Sequence, residues 1–186
     1  GNDTLYGDAG ENDGSVMVQA GQRLWGGSGD DYLYAFAPST GLDAEKTCAG
    51  DELYGEAGND WLYGNIRMEL IAGGAGNDYI HGDALRGARY ATNPGAAVDG
   101  AADRLYGDGG EDVIYGGGGD DVIFGGAGAD HLAGQDGHNS LYGGGDIDVI
   151  VMGIDASYPN RQLGDSIDGH GGNRQAGDSA DDNATD

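Results

Sequence analysis

The chain has 186 residues, of which 41 are glycine and 3 are proline. Glycine is ordinarily ~7% of a sequence, so a conventional globular domain is excluded, and collagen is excluded because glycine does not recur at every third position. With 33 acidic against 8 basic residues, a formal charge of −25 and a pI near 4.1, the surface repels phosphate; this argues against nucleic acid and anionic membranes and for cations as partners.

Taken in order, the chain opens with a truncated unit, Gly1-Asn2-Asp3-Thr4-Leu5-Tyr6, without a visible signal peptide, as expected of a segment or processed product. The register slips near Asn12 and Asp13, then resumes as Leu24-Trp25 followed by GGSGDDYLY. An insertion near 35–49 follows. From Asp51 to His81 the units read DELY, GEAGNDWLY, GNIRMELIA and GGAGNDYIH. A second insertion occupies 82–101, where Ala84 to Ala91 could form one or two helical turns. Residues 103–151 run without a break as DRLY, GDGGEDVIY, GGGGDDVIF, GGAGADHLA, GQDGHNSLY and GGGDIDVIV. Beyond Met152 the motif fades into a degenerate unit around Gly164-Asp165-Ser166-Ile167 and an acidic tail. The stretch from Val149 to Met152 is the longest aliphatic run, far short of the ~20 residues of a membrane span. Cys48 is a single cysteine, so no disulfide staples the chain.

The consensus is G-G-x-G-x-D-x-U-x, with U apolar, and each unit has two physical parts. The glycine-rich half allows positive φ and sharp turns. The x-U-x half is a three-residue strand with one apolar side chain pointing inward. Two units make an 18-residue coil, and stacked coils give two parallel sheets across one file of Leu and Ile. The sixth position then sets each carboxylate above the one 18 residues away: Asp103 with Asp121, Asp112 with Asp130, Asp130 with Asp148 and Asp60 with Asp78. Weaker pairs are Asp121 with Asn139 and Asp51 with Glu69; Asp31 holds the same position in GGSGDDYLY. Carboxylates stacked at ~5 Å repel unless a cation lies between them, and calcium suits the gap because it takes 6–8 oxygen ligands at about 2.4 Å. Turn formation in Asp-Gly loops is the alternative, but it needs no recurrence of charge every 18 residues.

The nonapeptides GGGGDDVIF and GGAGADHLA resemble the RTX (repeats-in-toxin) calcium-binding β-roll, and the resemblance spans roughly residues 1–151. It implies an all-β, right-handed parallel β-roll, here residues 1–158, with the degenerate repeat and tail at 159–186. It also implies calcium between successive turns, held by the sixth-position carboxylates and by carbonyls of glycine-rich positions: Gly107 and Gly109, Gly116 and Gly118, Gly125 and Ala127. Roughly six to ten ions are expected, with a chain that is disordered without calcium and ordered with it. Bacterial secretion by a type I exporter and an extracellular, cell-surface or periplasmic location follow from the resemblance as well.

Some units depart from the pattern. Gln22 and Glu69 occupy sixth positions, Asn139 is uncharged, Arg67 and Asp146 replace the fourth glycine, and Arg174 stands where a later Asp belongs. Each departure is expected to weaken its site. Tyrosines recur at the ninth position, on the outer face, and Tyr106, Phe124 and Tyr142 are 18 apart and should stack. That aromatic face and the insertions are candidate contacts for a protein or a saccharide. No catalytic constellation is visible, and His81, His131, His138 and His170 lack zinc-site spacing. The sequence therefore predicts a non-enzymatic calcium-binding module that presents loops to a partner. A calcium-dependent export domain of a larger secreted enzyme or toxin, and an accessory subunit of an extracytoplasmic assembly, are the alternatives.

Overall fold

The computed structural model describes residues 1–7, 21–35, 45–83 and 100–151, together with a strand at 166–168. The expectations for Asn12, Asp13, Ala84 to Ala91, Asp165, Arg174 and most of the tail lie outside the described residues. The first half of the chain supplies β1 (Thr4–Tyr6), β2 (Arg23–Ser28), β3 (Tyr32–Tyr34), a short 3-10 turn (Glu45–Thr47), β4 (Ala49–Ala57), β5 (Trp61–Tyr63), β6 (Met68–Ala75) and β7 (Tyr79–His81). The second half supplies β8 (Arg104–Gly109), β9 (Val113–Gly117), β10 (Val122–Ala127), β11 (His131–Gln135), β12 (Ser140–Gly144), β13 (Val149–Val151) and β14 (Ser166–Asp168).

Odd strands form one seven-stranded sheet in the order β1-β3-β5-β7-β9-β11-β13, and even strands form the other, β14-β12-β10-β8-β6-β4-β2. Among the described residues every neighbouring pair of strands is parallel, as in Val122 beside Ser140 and Ile123 beside Leu141. This is a parallel β-roll. The core is a single file of eighth-position residues from Leu24 and Leu33 to Leu141 and Ile150, each 6% exposed or less. A file one side chain wide follows from the repeat itself, because only U points inward.

Two details differ from the expected strand. The odd strands keep to three residues over β1–β7 and β13, but the even strands run to between 5 and 9 residues, β14 excepted. They extend because the glycines after U continue the parallel pairing, as Gly126 does beside Gly144. The second and fourth positions adopt left-handed backbone, including the non-glycine residues Glu56, Asp108, Gln135 and Asp146. In GNIRMELIA neither Asn65 nor Arg67 has positive φ. That turn instead buries Asn65, Ile66 and Arg67.

Fourth-position glycines are needed on a second ground. A β-carbon on Gly128 would strike the Gly110 carbonyl, and one on Gly110 would strike that of Gly76, so the coils stack backbone on backbone along this line. The insertions fall between β3 and β4 and between β7 and β8. Both therefore interrupt turns that pass from the odd sheet to the even sheet. So do the longer connections from β1 to β2, where paired Thr4 and Tyr32 are 28 apart, and from β13 to β14, where paired Ser140 and Ser166 are 26 apart. Among the described residues the opposite edge keeps the regular spacing.

Candidate metal centre

Turns passing from the even to the odd sheet form a first column. Each ends in an aspartate just before its strand: Asp3, Asp31, Asp60, Asp78, Asp112, Asp130 and Asp148. From Asp31 on, every one is 2% exposed or less. The short side chain reaches along the stack, so that Oδ1 accepts the backbone N–H of the aspartate one coil earlier. These bonds run from Asp3 N to Asp31 (2.6 Å), Asp31 N to Asp60 (2.7 Å), Asp60 N to Asp78 (2.8 Å), Asp78 N to Asp112 (2.8 Å), Asp112 N to Asp130 (2.9 Å) and Asp130 N to Asp148 (3.0 Å).

The other carboxylate oxygen is left over. Oδ2 of Asp31, Asp60, Asp78, Asp112 and Asp130 is buried and accepts no hydrogen bond, as is Oδ2 of Asp103 on the opposite edge. These atoms face a defined space. A β-carbon built on Gly55 would lie within 3.0 Å of both Asp60 Oδ2 and the Gly73 carbonyl oxygen. The same holds at Gly107 for Asp112 and Gly125, and at Gly125 for Asp130 and Gly143. The first-position glycine thus leaves a cradle between a carboxylate oxygen of its own turn and a carbonyl oxygen of the next coil. Burial in this setting disfavours the charged form. It pushes the Asp78 carboxyl up to about 7 and those of Asp112 and Asp130 up to about 6, and it raises Asp60 and Asp148 as well. Orphaned oxygens facing one another across a gap are the arrangement a hard divalent cation completes.

The second column, at the opposite edge, runs through Gln22, Asp51, Glu69, Asp103, Asp121 and Asn139. Its backbone-to-side-chain bonds include Gln22 N to Asp51 Oδ1 (2.8 Å), Glu69 N to Asp103 Oδ1 (2.8 Å), Asp103 N to Asp121 Oδ1 (2.9 Å) and Asp121 N to Asn139 Oδ1 (2.9 Å). Between Ala49 and Glu52 the register of β4 on β6 shifts, and from Glu52 beside Leu70 onward the 18-residue offset is kept. The Gly116 cradle holds Asp121 Oδ2 and the Gly134 carbonyl, whereas at Gly134 the facing atom is the Asn139 amide nitrogen.

Third-position residues behave differently from first-position ones. The Gly109 and Ala127 carbonyls accept the N–H groups of Gly76 (2.7 Å) and Gly110 (2.8 Å), leaving one lone pair each. Gly118 donates its N–H to Asp83 Oδ2 at 2.8 Å. Asp83 was not legible as a site residue, because it sits in the second position at the start of an insertion. A fifth-position ladder was missed as well. Asp30 N donates to Asn2 Oδ1, Asn59 N to Asp30 Oδ1 and Asn77 N to Asn59 Oδ1, all exposed. The adjacent carboxylates Asp30 and Asp31 thus face opposite ways, one toward solvent and one inward.

The RTX calcium-binding nonapeptide repeat (4 copies) matches residues 1–13, 22–37, 49–66, 68–84, 99–132 and 115–150. The chain belongs to that family. Its members' repeat is a calcium-binding structural module and forms the β-roll seen here. No curated protein and no solved structure gives a significant match. Among the described residues, no helix is long and apolar enough to cross a membrane.

Proposed function

We propose that this RTX-family chain takes calcium along both turn columns and folds by doing so, as a non-enzymatic extracytoplasmic module. The observation that carries the reading is the recurrence, coil after coil, of a buried carboxylate oxygen without a partner facing a carbonyl across the first-position cradle. The first-column ligands are Asp31, Asp60, Asp78, Asp112, Asp130 and Asp148, with carbonyls of first-position residues such as Gly107 and Gly125. Asp51, Asp103, Asp121 and Asn139 serve the second column with Gly116. Gly109, Gly118 and Ala127 are available for secondary contacts.

Calcium fits because the donors are all hard oxygens, and magnesium demands a tighter octahedron. Without the cation the folded chain must hold its aspartates close and buried, which is costly unless they are protonated. Millimolar calcium outside the cytoplasm matches the affinity of extracellular modules, ~0.1–1 mM, and favours export before folding. The test is far-UV circular dichroism in chelator, calcium and magnesium. The reading expects a coil-to-β transition in calcium alone; a chain equally β-rich in chelator overturns it.

A second element of function is recognition on the outer face. Tyr6, Tyr34 and Tyr63 stack with centroids 5.0 Å apart, and Tyr32 stacks on Trp61 at 4.6 Å. Trp25 is 51% exposed. This aromatic concentration at the amino-terminal end favours a partner protein or saccharide, testable by tryptophan fluorescence during titration with oligosaccharides.

A further inference from the structure

Where the repeat is most degenerate, the carboxylates are densest. Glu69, Asp83 and Asp103 each offer a carboxylate oxygen within 4.8 Å of the others, and their exposures are 3%, 3% and 1%. Asp83 and Asp103 are aimed by the backbone around them. Asp83 Oδ2 accepts from Gly118 N, Asp103 Oδ1 accepts from Glu69 N, and Gly82 and Gly100 leave no room for a side chain beside Asp103 and Asp83. The remaining oxygens, both of Glu69, Oδ1 of Asp83 and Oδ2 of Asp103, are buried without a hydrogen-bond partner.

Asp83 owes its place to a local change of backbone. Second-position Glu56 and Asp108 have left-handed φ and exposed side chains. Asp83 holds the same position without positive φ, and its carboxylate turns inward. Glu69, with one methylene more than the consensus aspartate, completes the group. Burial above all, and then the negative charges of Asp103, Asp83 and Asp51, raise the Glu69 carboxyl. Burial and Asp103 push Asp83 up to about 10.

We propose that Glu69, Asp83 and Asp103 form a three-carboxylate calcium site that ties the residue two past β7 to the residue just before β8 and joins both to the coil before. It differs from the repeating step, in which one sixth-position carboxylate oxygen and a carbonyl line each cradle. A cation held by all three joins Asp83 to Asp103 across 20 positions of sequence, and a metal clip across a longer stretch of chain offsets more chain entropy. The Glu69 substitution, which the repeat pattern reads as a weakened step, becomes the strongest site of the second column, because affinity rises with the number of charged ligands.

The proposal rests on calcium-dependent folding of the roll, and the experiment separates the two. Calcium is titrated calorimetrically into the whole chain as wild type, Glu69→Gln and Asp83→Asn, with circular dichroism of each in saturating calcium. Gln22 already occupies a sixth position, so Glu69→Gln places a residue the coil tolerates. The expected result is that both variants still fold in calcium while one tight ion is lost or bound about tenfold or more weaker. Variants that fold with the same ion count and affinities as wild type overturn the site; Glu69 and Asp103 would then share a proton. A wild type that takes no calcium overturns the calcium reading itself, a different outcome.

Discussion

The two edges of the roll are built from one repeat and differ in what interrupts them. The first column is aspartate at every step from Asp3 to Asp148. The second carries Gln22, Glu69 and Asn139, the register shift between Ala49 and Glu52 and every lengthened connection among the described residues. A coil can lengthen only where a turn leaves it, and a turn whose oxygens build a cradle with both neighbours has no slack. Elaboration collected on one edge leaves the other able to repeat. The first column thus sets the rod, and the second gives up regularity for loops and for the dense Glu69, Asp83 and Asp103 group.

This contrast can be broken most severely at the centre of the first column. Asp112→Ala removes a cradle oxygen and strands the Asp78 N–H, so the calcium form should lose about 3 kcal/mol or more, read by urea unfolding in saturating calcium. Acidification comes next. The folded, metal-free carboxyls of Asp78, Asp112 and Asp130 are raised from 3.8 to about 7, 6 and 6. The folded state therefore binds more protons than the unfolded chain between about pH 4 and 7. Their stabilising effect on the metal-free roll is complete below the unfolded value and is lost as pH rises through 6–7. Because the calcium-free chain is a coil whose carboxyls titrate near 3.8, protons compete with the cation only close to that value. The calcium midpoint should stay flat between pH 8 and pH 6 and rise below about pH 4, by up to about tenfold per pH unit for each proton displaced, measured by titration at pH 8, 6 and 4.

Smaller effects sharpen the comparison. Asn139→Ala in the second column removes the acceptor of Asp121 N without removing a charge, and should cost about 1–2 kcal/mol. A cost equal to that of Asp112→Ala would make the two columns equivalent. Asp146→Gly relieves a left-handed non-glycine residue at φ 64 and should raise stability by about 0.5 kcal/mol in the same urea assay.

Much of this was legible because the spacing is strict where no insertion falls. Asp103 with Asp121, Asp112 with Asp130 and Asp60 with Asp78 could be paired by counting 18. The pairs Asp31 with Asp60, at 29, and Asp78 with Asp112 and Glu69 with Asp103, at 34, could not, since an insertion adds its length without changing the stacking. The aromatic ladder Tyr106, Phe124 and Tyr142 stacks at 5.1 and 4.7 Å as periodicity requires. Asp83 was hidden because its role depends on a backbone angle that departs from its position in the repeat. The burial of Asn65 and Arg67 was hidden too; the pattern marked that turn as irregular but gave no direction for its side chains.

The most direct test of the account is a crystal structure grown in calcium, with anomalous scattering used to find the ions. The account predicts a peak in each first-column cradle, as between Asp112 Oδ2 and the Gly125 carbonyl. A folded roll whose first column holds no ions, its aspartates arranged as here, would contradict it.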